Sequence, residues 1–134
     1  RARLMGNLEQ LGYRMPAIIA PSAVLDPSVV VGDGALVSPG ALINVGARIG
    51  KGAIINTGAV VEHHVRVGDF AHVAPNSTLC GSVTVGELAL VGAGSVVLPD
   101  RRIGKGATVA AGSAAARDVP AGVISGLPRR GRPE

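Results

Sequence analysis

Aromatic side chains are almost absent from these 134 residues: there is no tryptophan, one tyrosine and one phenylalanine. Globular cores usually draw much of their buried area from such rings. The 47% of hydrophobic residues must therefore pack as thin, regular layers of Val, Ile, Leu and Ala. A single cysteine, Cys80, excludes an intrachain disulfide and fits a reducing compartment. No apolar run approaches the length of a membrane span, which leaves no membrane partner to expect. Residues 1–20 begin Arg-Ala-Arg but lack the apolar centre and small-residue cleavage site of a signal peptide, so a cytoplasmic location is expected. The length suits one domain.

Charge is also scarce, at 16% of residues, and it is unevenly placed. Residues 101–134 hold seven basic groups against two acidic ones, a balance of +5, and the rest of the chain stands at −1. A basic end without aromatic stacking residues is a poor nucleic-acid site, so no nucleic-acid partner is expected. Phosphates of a small molecule suit it better, and a solvated tail at Arg129–Arg132 suits it equally well.

Regularity is what the sequence has in abundance. Every sixth residue from Ile19 to Val109 is Ile, Leu or Val, sixteen in sixteen. Four places after each stands a small or slender residue, with Arg101 the one exception. Three places after each, eight of the sixteen are Gly, and Asn76 and Asp100 are among the others. These residues tolerate a left-handed backbone at a corner. A strict hexapeptide period of this kind predicts a parallel β-helix, whose stacked coils bury a continuous aliphatic core without aromatics. Ahead of it, Leu4, Met5, Leu8 and Leu11 recur at helical spacing and Gly12 makes a stop, so a short N-terminal helix is expected. The expected organisation is a helical lead-in over 1–18, a β-helix over 19–123 and a basic tail over 124–134.

The repeat resembles that of the hexapeptide-repeat transferases, whose coils of three hexads wind left-handed into a triangular prism. That resemblance implies an all-β fold and supplies the handedness, since the usual crossover rule favours the opposite hand. With 18 residues per coil, outward rows can be read directly. Two are mainly apolar (Leu36, Ile54, His72, Leu90, and Val24, Leu42, Val60, Thr78, Val96). The third is Val30, Arg48, Arg66, Thr84, Arg102. Exposed apolar rows point to a partner surface, and a closed cyclic oligomer would cover two sides. The family's habit is a homotrimer. The corner carrying Asp33, Lys51, Asp69, Glu87 and Lys105 is expected to face water.

All three histidines lie within ten residues: His63, His64 and His72. The frame puts His63 just before a corner, His64 on it, and His72 outward on a flat side, so none belongs to the core. Incidental surface histidines are the bland alternative. His63 and His72 are half a coil apart, on different sides of one prism, and can meet only across a subunit boundary. Zinc is not expected. Hexapeptide-repeat carbonic anhydrases space two ligands five apart with a third two coils away, whereas the spacings here are one, eight and nine, and neighbouring residues converge poorly on one tetrahedral ion.

The segments Asn56-Thr57-Gly58-Ala59-Val60-Val61-Glu62-His63-His64 and Val67-Gly68-Asp69-Phe70-Ala71-His72-Val73 resemble a narrower group. So do Leu79-Cys80-Gly81, the run Val91 to Pro99, and Gly126-Leu127-Pro128. The group is the bacterial sugar acetyltransferases that include UDP-4-amino-sugar N-acetyltransferases and sialic-acid-type O-acetyltransferases. The resemblance implies acetyl-CoA as co-substrate, no metal, and a nucleotide-sugar acceptor. It implies a general base at His63, an assisting acid at the place of His64, and acetyl-CoA held at His72, Gly81, Ala93 and Ala111 between subunits. The chemistry is reasonable for these residues, since imidazole titrates near neutral pH and accepts a proton without a covalent intermediate. Three departures stand out. His64 replaces the usual Asp or Glu, Arg129 replaces the usual Ala, and residues 1–18 resemble only the last helix of the family's N-terminal sugar-binding domain. The expected activity is N-acetylation of a nucleotide-linked amino sugar. O-acetylation, and a non-catalytic trimerisation module left by loss of that domain, are the alternatives.

Overall fold

A computed structural model describes residues 1–126. One helix, Ala2–Gln10, is followed by two-residue strands at six-residue intervals from Ile18–Ile19 to Ala114–Ala115, then Ile124–Ser125. Each strand pairs in parallel with the one 18 residues away, as in Ile54↔His72↔Leu90 and Val60↔Thr78↔Val96. The strands form three sheets of seven, six and five strands, the three faces of a prism. The first face carries Leu36, Ile54, His72 and Leu90, the second Leu42, Val60, Thr78 and Val96, the third Arg48, Arg66, Thr84 and Arg102.

The hexad explains this local structure. Two extended residues are followed by a tight corner, and the second residue of each turn has positive φ from Gly34 to Gly112. Glycine fills most of these places, but His64, Phe70, Asn76, Ser82, Leu88 and Asp100 also sit there with φ between 55° and 62°. Bulky residues adopt that conformation only at a cost, about 1–2 kcal/mol for a side chain with a Cβ. The stacking of neighbouring coils over-determines it.

Inside the prism, Val37, Ile43, Ile55, Val61, Val73, Leu79, Val85, Val91, Val97 and Ile103 are at most 1% exposed. Burying each such side chain contributes roughly 1.5–3 kcal/mol, which accounts for a core without rings. In the first coil Ile19 remains 45% exposed, because a terminal coil has a stacking partner on one side only.

The corner between the third and first faces is the tightest. Gly32, Gly50, Gly68, Gly86 and Gly104 stand there at 18-residue intervals, and a Cβ on any of them would lie less than 3.0 Å from the next coil. This corner faces water as its charges lead one to expect, with Asp33, Asp69, Glu87 and Lys105 exposed, and the helix packs against part of it. Lys51 is paired with Glu9 of the helix at 2.6 Å, Met5 is buried against Gly34 and Gly52, and Arg1 Nη1 donates to Gly52 O at 2.5 Å. The helix is thereby fastened to the edge while the Lys51–Glu9 pair stays at the surface. Further up, Glu87 and Lys105 pair with each other on the open part of the edge.

The period also breaks once. After Ala115 the next inward residue is Val119, bridged to Ile103, and Ile124 pairs with Thr108. The last coil is thus two residues short, fastened by Asp118 Oδ1 accepting from Arg102 N at 2.9 Å. Arg101, the exception in the small-residue row, stays out of the core and turns its Nε back to Pro99 O.

Candidate active site

His63 and His64 occupy the corner between the second and third faces. His64 is held in the left-handed region (φ 57°), its N–H donating to Val45 O, and His63 O accepts from Ser82 N. This backbone sends the two rings in opposite directions. His63 lies against Gly81 on the following coil and His64 against Gly46 on the preceding one. Gly81 has no positive φ, so its backbone does not demand glycine; the missing side chain leaves the room that the His63 ring occupies. The rings are set edge to face at 77°, with Nδ1 to Nδ1 at 3.2 Å, and both residues are exposed. Glu62 precedes the pair. One coil on stands Cys80, whose thiol is pushed up by burial first and by Glu62 second. That keeps it in the thiol form and gives no support to a covalent route.

His72 is elsewhere, at the middle of the first face between Ile54 and Leu90. Its partner was not legible in the sequence: Asn56 Nδ2 stands 3.0 Å from His72 Nε2. Asn56 Oδ1 is already accepting from Thr57 N at 2.8 Å, so the amide group is fixed as the donor toward the ring. A hydrogen bond of that sense makes Nε2 the acceptor and leaves the ring hydrogen on Nδ1. Burial, then the charge of Arg1, holds the His72 pKa below the ordinary histidine value. The neutral ring is favoured.

Ala93 and Ala111 lie one above the other on the corner between the first and second faces, with Gly112 N donating to Ala93 O at 2.8 Å. Both are exposed. Just inside the same corner runs a ladder of serines: Ser77, Ser95 and Ser113 each donate their hydroxyl to the carbonyl three residues earlier at 2.6 Å. They read in the sequence only as slender core residues, although their 18-residue spacing was a signal. The corner is consequently bare outside and hydrogen-bonded inside.

One chain therefore brings His63, His64 and Gly81 together, and separately Ala93 with Ala111. It leaves His72 on the face opposite the His63 corner. An apolar groove of about 390 Å³, lined by Leu4, Met5, Leu8, Ile18 and Phe70 among others, lies under the helix and touches none of these residues. Among the described residues no helix is long and apolar enough to cross a membrane, and no three His, Cys, Asp or Glu are grouped to hold a metal ion. Leu127, Pro128 and the arginines at 129, 130 and 132 lie outside the described residues.

Comparison with known proteins identifies the fold. Residues 46–81 match the family described as bacterial transferase hexapeptide (six repeats). PerB from Caulobacter crescentus, solved with CoA and GDP-perosamine, superposes with a TM-score of 0.91 at 43% identity, over 92% of this chain and 59% of that one. The acetyltransferase domain of PglB from Neisseria gonorrhoeae gives 0.91 at 31% identity, over 92% and 60%. WeeI from Acinetobacter baumannii gives 0.88 at 30% identity, over 92% and 61%. The chain thus spans about three fifths of the length of these structures. No match is found among curated protein sequences. By its repeat and its left-handed parallel β-helix, the chain belongs to the hexapeptide-repeat family of bacterial transferases.

Proposed function

We propose that this chain carries the acetyl-transfer site of a sugar acetyltransferase, using acetyl-CoA and acting on the amino group of a nucleotide-linked sugar. The observation that carries this is the exposed His63 ring, seated against Gly81, in a chain 43% identical to a protein solved with CoA and GDP-perosamine.

In this reading the sugar amine attacks the thioester carbonyl while His63 Nε2 accepts the amine's proton. The tetrahedral centre collapses with cleavage of the C–S bond, and the proton held by His63 passes to the departing CoA sulfur or to solvent. A positioned base of this kind contributes roughly 10²–10⁴-fold. The pantetheine arm lies along the bare Ala93–Ala111 corner, where small side chains let an extended chain reach the backbone. His72, with its Nδ1–H free, donates toward the acetyl-CoA bound beside the first face. Residues 19–123 form the acyltransferase unit and 1–18 its lead-in.

The sites are shared between the subunits of a homotrimer. The grooves beside the helix include neither His63 nor Ala93, and the apolar rows on the first and second faces need cover. Sedimentation of the unmutated chain is expected to give a trimer, and Leu90→Asp, which places charge in that contact, to dissociate it. For the reaction, calorimetry with acetyl-CoA decides between enzyme and scaffold. Binding that weakens as salt rises is expected, and a protein that binds no acetyl-CoA in its trimeric form would be a trimerisation module.

A further inference from the structure

The third face carries Arg48, Arg66, Thr84 and Arg102 in one outward column, paired in register from coil to coil. All three arginines are exposed, and the ion pairs among the described residues, Lys51–Glu9 and Lys105–Glu87, include none of them. Like charges set directly opposite on paired strands are destabilising, so the stability of the prism does not explain the column. Its shape is also particular. Thr84 is short and half-buried, and it stands between two long cationic side chains. With strands about 4.8 Å apart, the Cα atoms of Arg66 and Arg102 lie roughly 10 Å from each other. Both guanidinium groups can fold over the gap above Thr84, whose hydroxyl adds a further donor to an anion held there.

This gap opens beside the base. Gly81, against which the His63 ring lies, is three residues before Thr84 on the same coil. Three residues of chain span at most roughly 10 Å, so an anion at the gap and an amine at His63 can belong to one molecule with a sugar ring between them. The second face, on the other side of the His63 corner, presents Val60, Thr78 and Val96 and no cation.

We infer that the gap between Arg66 and Arg102, with Arg48 beside it, is the subsite for the diphosphate of the nucleotide-linked sugar. The inference rests on the reading of His63 as the base and deepens it. The acceptor crosses the third face, acetyl-CoA approaches from the first and second, and the two substrates flank His63 without sharing a groove. Two planar guanidinium forks suit two linked phosphoryl groups, since each can engage one of them bidentately. A broad polyanion does not suit the face. The column is one residue wide, with Asp33, Asp69 and Glu87 exposed along one edge and Asp100 and Asp118 at the other. Those carboxylates repel a membrane surface or a nucleic-acid strand laid across them and leave a strip for a compact anion. No aromatic residue stands in the column, so it reads the diphosphate and not the nucleobase.

The test is calorimetry of the 134-residue chain at fixed low salt with UDP, GDP and inorganic pyrophosphate, and separately with acetyl-CoA. All three diphosphates should bind, UDP and GDP with like affinity, and UMP roughly tenfold more weakly for want of the second phosphoryl group. Arg66→Gln and Arg102→Gln should each weaken UDP roughly tenfold and leave acetyl-CoA affinity unchanged. Their melting temperatures should hold or rise, because stacked like charges are relieved. Lys105→Gln, on the neighbouring corner and paired with Glu87, should alter neither affinity. In turnover, both arginine variants should raise KM for the sugar nucleotide by the same factor at unchanged kcat. UDP that fails to bind, or binds equally well to Arg66→Gln and Arg102→Gln, overturns the inference. So does a loss of acetyl-CoA affinity in those variants with UDP unaffected, which would give the column to the phosphates of CoA. Absence of any acetyl transfer would count against the proposed function, and the UDP titrations would still decide whether the third face holds a diphosphate.

Discussion

Two corners of the same prism are built from the same backbone and are put to opposite uses. Between the second and third faces, the turn positions hold Val45-Gly46, His63-His64, Gly81-Ser82 and Pro99-Asp100. Between the first and second faces they hold Thr57-Gly58, Pro75-Asn76, Ala93-Gly94 and Ala111-Gly112. One corner projects imidazoles into solvent, with glycines above and below them to make room. The other carries no ring side chain but proline, is reduced to Ala-Gly at residues 93–94 and 111–112, and is hydrogen-bonded from within by its serine ladder. A β-helix supplies a rigid frame in which any corner can take either form, since corner side chains contribute nothing to the core. Chemistry here is a matter of decoration, and the two corners should respond differently to mutation.

The largest contrast is expected from His63→Ala. Folding and acetyl-CoA binding should be nearly intact, because the ring is exposed, whereas the chemical step should slow by roughly 10²–10⁴. Single-turnover kinetics against a melting curve separates the two. Undiminished turnover would remove the base assignment.

Gly81→Ala should come next. A Cβ there collides with His63 Nε2 and Cε1, and the exposed ring can yield by swinging aside, so stability changes little. The base is then displaced, and kcat should fall about 10²-fold, the order expected for a misplacement near 1 Å. A full rate with a shifted melting temperature would mean that the glycine serves packing instead.

At the bare corner the readout is binding. Ala93→Leu leaves the core untouched but covers the corner, and should weaken acetyl-CoA about tenfold, or ~1.4 kcal/mol, with kcat at saturation retained. Calorimetry checks this, and unaltered affinity would place the pantetheine elsewhere.

The smallest effect concerns His72. Burial and Arg1 depress its pKa, so the unfolded chain binds a proton at a higher pH than the folded one. Stability from this group is present above the ordinary histidine pKa and is lost as pH falls through it. Melting temperature should therefore decline between neutral pH and pH 5 more steeply in the wild type than in His72→Asn. Parallel slopes would show that the ring titrates alike in both states.

How far the sequence reaches can be judged from particular residues. The inward places of Val61, Val67 and Val73, the left-handed place of His64 and the stacking of Ala93 on Ala111 all follow from counting in sixes and eighteens. A solenoid contacts only its neighbours, so local period becomes three-dimensional position with little left to decide. Counting failed where contacts are not periodic. It put the charged corner in water, where Asp33, Asp69, Glu87 and Lys105 stand, but gave no sign that the helix sets Glu9 on Lys51 and Met5 on Gly34. It followed the frame as far as Val109 and did not show that the coil after Ala115 is two residues short.

The sequence by itself determined the β-helix, its core and the sides on which the three histidines lie, because the hexad leaves one way to bury Val, Ile and Ala. Only the tertiary structure decided what each imidazole touches. Asn56 reaches His72 from 16 residues away, His63 rests on Gly81 from 18 away, and His63 meets its neighbour His64 through Nδ1 atoms. Those contacts depend on ring directions and on the empty space above particular glycines, quantities set by neighbouring coils and absent from any one hexad.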